Sequence, residues 1–145
     1  MTRILGLDIG DKTIGVAVSD ELKLIANGIT TILRKEIKDD MVMLKEIIKE
    51  YMIEEIVVGL PKNLNNSIGI QADKVLNFVD ILKTETNLKV TTWDERLSTV
   101  AVTRTLIEGK MSRKKRKGVI DKLAAVYILQ GYLDSRIQRT VIRES

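Results

Sequence analysis

Residues 3–19 read RILGLDIGDKTIGVAVS, and the fold class turns on them. Arg3 to Asp8 is an apolar run with a carboxylate at its end, and Thr13 to Ser19 is a second run rich in β-branched residues. A short Gly-Asp-Lys stretch separates them, so the two are expected to pair as an antiparallel hairpin. Side chains alternate along a strand, which puts Ile4, Gly6 and Asp8 on one face. A carboxylate is thereby brought to the end of a strand that should be central.

Working outward, Gly28 to Leu33 reads as a third strand and completes a meander. The period then changes. Met41, Leu44, Ile48 and Tyr51 recur at helical spacing within Asp39 to Met52. Glu55 to Gly59 reads as a buried strand, Ser67 to Lys83 as a helix, Lys89 to Trp93 as a fifth strand, Ser98 to Glu108 as a helix and Val119 to Leu133 as the last helix. Strands alternating with helices imply parallel crossovers. The predicted architecture is α/β: a mixed five-stranded sheet, three strands in a meander plus two parallel strands, flanked by helices.

With 145 residues the chain suits one domain, taken as residues 1–138, with a polar tail at 139–145. There is no cysteine and no histidine. Disulfides, thiolate or imidazole zinc sites and Ser–His or Cys–His nucleophiles are thereby excluded. Hydrolytic chemistry must run on carboxylates, Lys, Tyr or a metal-activated water. No basic leader and no membrane-length apolar run is visible, so a cytoplasmic protein without a membrane partner is expected. The net charge is +4, but Thr103 to Lys122 holds eight basic and two acidic residues, a local +6 that leaves −2 for the rest. Such a segment suits a polyanionic partner, a nucleic acid.

Three acids carry the chemistry. Asp8 ends the first strand, where a buried charge needs a cation or several donors. Asp94-Glu95-Arg96 follows the fifth strand, at the sheet end where α/β proteins gather binding groups. Asp121 shares a helix face with Ala125, Ile128 and Tyr132, an apolar face that should pack on the sheet. Each has an ordinary explanation by itself: a strand-end turn, a solvated loop, an Asp favoured by the helix dipole. Together, Asp8, Glu95 and Asp121 would repel one another without cations. Mg²⁺ or Mn²⁺, two ions about 4 Å apart, would neutralise the cluster and cleave a phosphodiester without histidine. Lys110 to Lys117, with six basic residues of eight, reads as a cationic loop leading into Asp121 and gripping the backbone being cut. The Gly59-Leu60-Pro61-Lys62-Asn63 turn is placed beside the same site, where Gly10 also leaves room for a ligand.

These stretches, in this order, resemble the YqgF family, named for two proposed activities, Holliday junction resolution and pre-16S rRNA cleavage. The resemblance rests on Leu7-Asp-Ile-Gly10 with Ile14 to Asp20, Gly59-Leu-Pro61, Trp93 to Thr99, Ser112 to Arg116, Ile120 to Ala125 and Ile128 to Asp134, and spans nearly the whole chain up to Ser135. It implies a ribonuclease H-like fold, with Asp8, Glu95 and Asp121 as catalytic and metal-holding carboxylates. It also implies trimming of the 5′ end of the small-subunit rRNA precursor. Family members often carry a basic residue just after the position of Lys12, where this chain has Thr13. Substrate contacts are assigned to Lys12, Arg96, Arg113, Lys114, Lys115, Arg116 and Lys117. Pre-rRNA is the favoured partner and branched DNA the alternative, bound by a monomer or weak homodimer. Two other readings stand beside these: a non-catalytic nucleic-acid-binding module, and an actin-like or sugar-kinase phosphate motif. The latter enzymes need two such domains and a second glycine-rich loop.

Overall fold

The computed structural model describes residues 1–61, 69–95 and 113–144, with side chains of the last segment at residues 121–137. Five strands form one sheet: β1 (Arg3–Ile9), β2 (Thr13–Ser19), β3 (Ala26–Leu33), β4 (Ile53–Leu60) and β5 (Lys89–Asp94). Their spatial order is β3-β2-β1-β4-β5. The β1–β2 and β2–β3 pairs are antiparallel; β1–β4 and β4–β5 are parallel. The ribonuclease H-like sheet expected from the sequence is therefore present, with β1 and β4 at its centre.

Helix α1 (Ile37–Tyr51) and helix α2 (Ile70–Thr86) supply the crossovers to β4 and β5. Asp39 and Asp40 lie in the first turn of α1 and Lys49 in its last, matching the helix dipole. Both helices end on a left-handed residue, Met52 and Asn87. Leu44, Val75, Phe78 and Leu82 from these helices meet Leu5, Leu7, Ile14, Val16 and Ile56 on one face of the sheet. On the other face, among the described residues, helix α3 (Arg113–Glu144) packs Ala125, Ile128, Leu129, Tyr132 and Leu133 against Ile4, Ala17 and Val57. The result is three layers, helix–sheet–helix, with Ile4, Gly6 and Asp8 turned toward α3.

The sequence places the start of α3 at Val119 and its basic approach in a loop. The helix instead begins at Arg113 and runs to Glu144, so it takes in Arg113 to Lys117 and residues 139–144. Lys and Arg are good helix formers, and the one interruption, Gly118, costs only about 1 kcal/mol in a helix interior. The helix expected at Ser98–Glu108 lies outside the described residues, as do Ser67 and Ile68 at the expected start of α2. Among the described residues no helix is long and apolar enough to cross a membrane.

Candidate functional site

Asp8 is next to last in β1, and its side chain is only 6% exposed. It stands opposite Gly15 of β2 in the antiparallel register. Partners in such a pair share a face, so Gly15 also looks toward α3. A Cβ built on Gly15 would come within 1.8 Å of the backbone oxygen of Asp121. Only glycine tolerates that approach, because the obstacle is backbone and cannot swing aside. The start of the packed part of α3 is thereby seated on β2, one rung across from Asp8. The Asp121 carboxylate accepts a hydrogen bond from the Thr13 hydroxyl, with Oδ2 as the acceptor. Thr13 opens β2 and also gives its carbonyl to the Gly10 amide at 2.8 Å.

Glu95 arrives from the other side. The parallel register pairs Gly6 with Val57 and Leu7 with Val58, which sets Asp8 beside Gly59. Gly59 pairs in turn with Trp93, two residues before Glu95. A Cβ on Gly59 would stand 2.9 Å from Oε1 of Glu95 and 2.3 Å from Cδ1 of Ile128. The Glu95 carboxylate thus lies over Gly59, on the α3 side of the sheet. All three acids are drawn to one face at one end of the central strands. They do not yet form a closed ligand set: among the described residues no three acidic side chains are grouped so as to hold a metal ion.

Lys12 is exposed in the turn that follows Asp8, open to an anionic ligand. Asp94 ends β5 opposite Leu60. Arg96, and the side chains of Arg113, Lys114, Lys115, Arg116 and Lys117, lie outside the described residues; the backbone of Arg113 to Lys117 forms the first turns of α3.

Two features of the site escape a reading of the sequence. Thr13 is a hydrogen-bond donor to Asp121, where the family pattern suggests a basic phosphate contact. Arg34, just past β3, donates from Nη1 to the Gly10 carbonyl at 2.7 Å and from Nε to Asp40 at 3.1 Å. Glycines in β2 and β4 were the available signal for the first, since a strand glycine marks close approach of another backbone. No sequence signal pairs Arg34 with Gly10.

The sequence model of the family described as RuvX, Holliday junction resolvase, matches residues 2–135. The chain belongs to this family. Members of similar sequence include a protein of Clostridium novyi named "Putative pre-16S rRNA nuclease", 56% identical over 92% of this chain and 98% of its own. A Clostridium tetani protein of the same name is 55% identical over 92% of this chain and 96% of its own. Among solved structures, Thermus thermophilus RuvC bound to a Holliday junction superposes on the RuvX-family chain with a TM-score of 0.59 at 15% identity, covering 95% of this chain and 97% of that one. The yeast mitochondrial Holliday junction resolvase does so with 0.58 at 12% identity, covering 99% and 82%. At such identities the two structures establish the shared fold of this RuvX-family chain.

Proposed function

We propose that this chain is a divalent-metal-dependent nuclease that hydrolyses a phosphodiester bond at the α3 side of the sheet end, with the 5′ end of pre-16S rRNA as its substrate. The observation that carries the reading is the seating of Glu95 over Gly59 and of Asp121 over Gly15, on either side of buried Asp8. The names of the Clostridium relatives support the rRNA substrate.

The donor set fits a hard cation: three carboxylates, with neither imidazole nor thiolate in the whole sequence. Asp8, Glu95 and Asp121 would hold Mg²⁺ or Mn²⁺, with two ions as the proposed number. A bound divalent ion supplies charge neutralisation and a water of lowered pKa. The chain's own part is to orient. Asp8 is fixed by its strand, Glu95 by the end of β5, and Asp121 by α3 and by Thr13. Lys12 and the basic first turns of α3 hold the phosphate backbone. Cations at a helix N-terminus add to its positive dipole end, which disfavours the helix and favours an anion there.

The test offers a precursor 16S rRNA fragment, single-stranded RNA and a four-way DNA junction to the protein in Mg²⁺, Mn²⁺ or EDTA. Cleavage of the rRNA fragment is expected with either metal and none in EDTA. Asp8→Asn is expected to abolish cleavage while leaving affinity for the fragment in place. Binding without cleavage in every metal would make the protein a non-catalytic module. Cleavage confined to the junction would favour the resolvase reading, for which the family's description speaks.

A further inference from the structure

Asp40 is 1% exposed, and it holds two groups at once. Its Oδ2 accepts from Arg34 Nε at 3.1 Å and its Oδ1 from the Lys35 amide at 3.0 Å. The Arg34 guanidinium lies 5.1 Å over the Phe78 ring of α2. Docking α1 and α2 to the sheet would account for these contacts. It does not account for two more. Arg34 Nη1 reaches the Gly10 carbonyl at 2.7 Å, and the Arg34 amide reaches the Lys12 carbonyl at 2.9 Å. Both acceptors belong to the β1–β2 turn, which joins Asp8 to Thr13. A half-buried, charge-assisted fork therefore ties that turn to the opposite helical layer.

We propose that Arg34, oriented by Asp40, is a positioning residue: it fixes the β1–β2 turn, and through that turn the Thr13 hydroxyl that bonds the Asp121 carboxylate. The inference rests on the reading of Asp8 and Asp121 as catalytic carboxylates. Gly10 is tied twice, by its carbonyl to Arg34 and by its amide to Thr13, so a shift at Arg34 passes directly to the residue that bonds Asp121. Among the described residues Arg34 bonds to Asp40 and to the β1–β2 turn and to none of the three acids, so its effect passes through the turn.

The experiment compares Arg34→Lys with Leu44→Ala. A lysine keeps a positive charge beside Asp40, but one ammonium cannot reproduce the planar fork that joins Asp40 to the Gly10 carbonyl. Leu44 is fully buried in α1 one turn beyond Asp40 and, being apolar, makes no hydrogen bond to the fork, so its truncation loosens the same layer while the bonds of the fork itself remain. For Arg34→Lys, kcat on the rRNA fragment is expected to fall on the order of 10- to 100-fold, as misplacement of a reacting group does. KM and fragment affinity should hold within about twofold, since the loss lies in geometry rather than in ground-state binding. A second readout needs no turnover: hydrogen exchange at the Gly10 and Arg34 amides should speed up while the Leu5 amide of the core stays protected. Leu44→Ala is expected to lower Tm at least as far and to keep kcat at 25 °C within about twofold, because it leaves the catalytic geometry intact. Asp40→Asn, which keeps the shape and loses the charge, should fall between Arg34→Lys and wild type in kcat. Wild-type kcat in Arg34→Lys, or an equal loss in Leu44→Ala, overturns the proposal while leaving the nuclease reading untouched. A wild-type protein that cleaves nothing overturns both.

Discussion

At the residue scale, two glycines divide the work of bringing acids together, and they should not respond alike to substitution. At Gly15 an added methyl meets the main chain of Asp121 at 1.8 Å, and backbone at a packed interface has nowhere to go. At Gly59 it meets the end of the Ile128 side chain and a Glu95 oxygen, both of which can turn. Gly15→Ala is therefore expected to cost at least about 1–3 kcal/mol of stability, the usual range for overpacking, and to lose cleavage with it. Gly59→Ala should cost less stability and act mainly on Glu95. Urea unfolding beside a cleavage assay checks the order; equal stability losses would refute it. Asp8 stands out in the sequence as a candidate because a charge at the end of an apolar run is conspicuous, and the structure buries it on the α3 face of the sheet. Gly15 was not, because a strand glycine announces close approach without naming what approaches.

Tyr132 makes a second point at this scale. Its hydroxyl donates to the buried Glu55, which also accepts from Thr91 at 3.1 Å. Burial, then the Glu55 hydrogen bond and charge, push the Tyr132 phenol above its ordinary value of 10.0. A raised folded-state pKa contributes stability that is complete below the unfolded value and is lost as pH climbs toward the folded one. Wild type should therefore lose stability above about pH 10 more steeply than Tyr132→Phe. The variant should itself be about 1–2 kcal/mol weaker at pH 7, with a buried carboxylate short of a donor. Parallel alkaline slopes for the two proteins would remove Tyr132 from the account.

At the element scale, periodicity found all five strands and α1, and α2 within a few residues of either end, because each presents an apolar face to a packed layer. It misplaced the beginning of α3. The basic stretch has no apolar period to detect, so a reader takes it for a loop, yet its lysines and arginines are strong helix formers once the downstream face is seated. Helix ends follow backbone rules that sequence shows only in part. Asn87 is a common left-handed terminator, whereas Met52, at φ 54, is not. Met52 is exposed at 55%, so its side chain gives up little packing if removed. Met52→Gly is expected to raise stability by about 0.5–1 kcal/mol, measured as a higher urea midpoint with unchanged slope. A lower midpoint would mean that the Met52 side chain contributes more than its backbone strain costs.

At the scale of the whole molecule, charge is separated along the chain, +6 within Thr103 to Lys122 against −2 elsewhere. The fold brings the end of that segment to the acidic face, since α3 starts in the basic stretch and Asp121 lies in the same helix. An anionic backbone would thus be attracted by one end of the molecule and repelled by the carboxylates beside it until cations neutralise them. Substrate binding should then depend on two salts in opposite ways. Monovalent salt should weaken it, with log affinity falling by about 0.7 per phosphate contact for single-stranded nucleic acid and about 0.9 for duplex per decade of salt. Mg²⁺ at low concentration should strengthen it while occupying Asp8, Glu95 and Asp121. Changing Lys114, Lys115 and Arg116 together to Ala removes three positive charges and none of the acids. The salt slope should flatten by about 2 to 3, affinity should fall alike for unrelated sequences, and cleavage at saturating substrate should persist. A filter-binding titration over several salt concentrations reads both numbers. An unchanged slope would show that the first turns of α3 do not carry the phosphate contacts, and the grip would pass to Lys12 and the remaining basic residues.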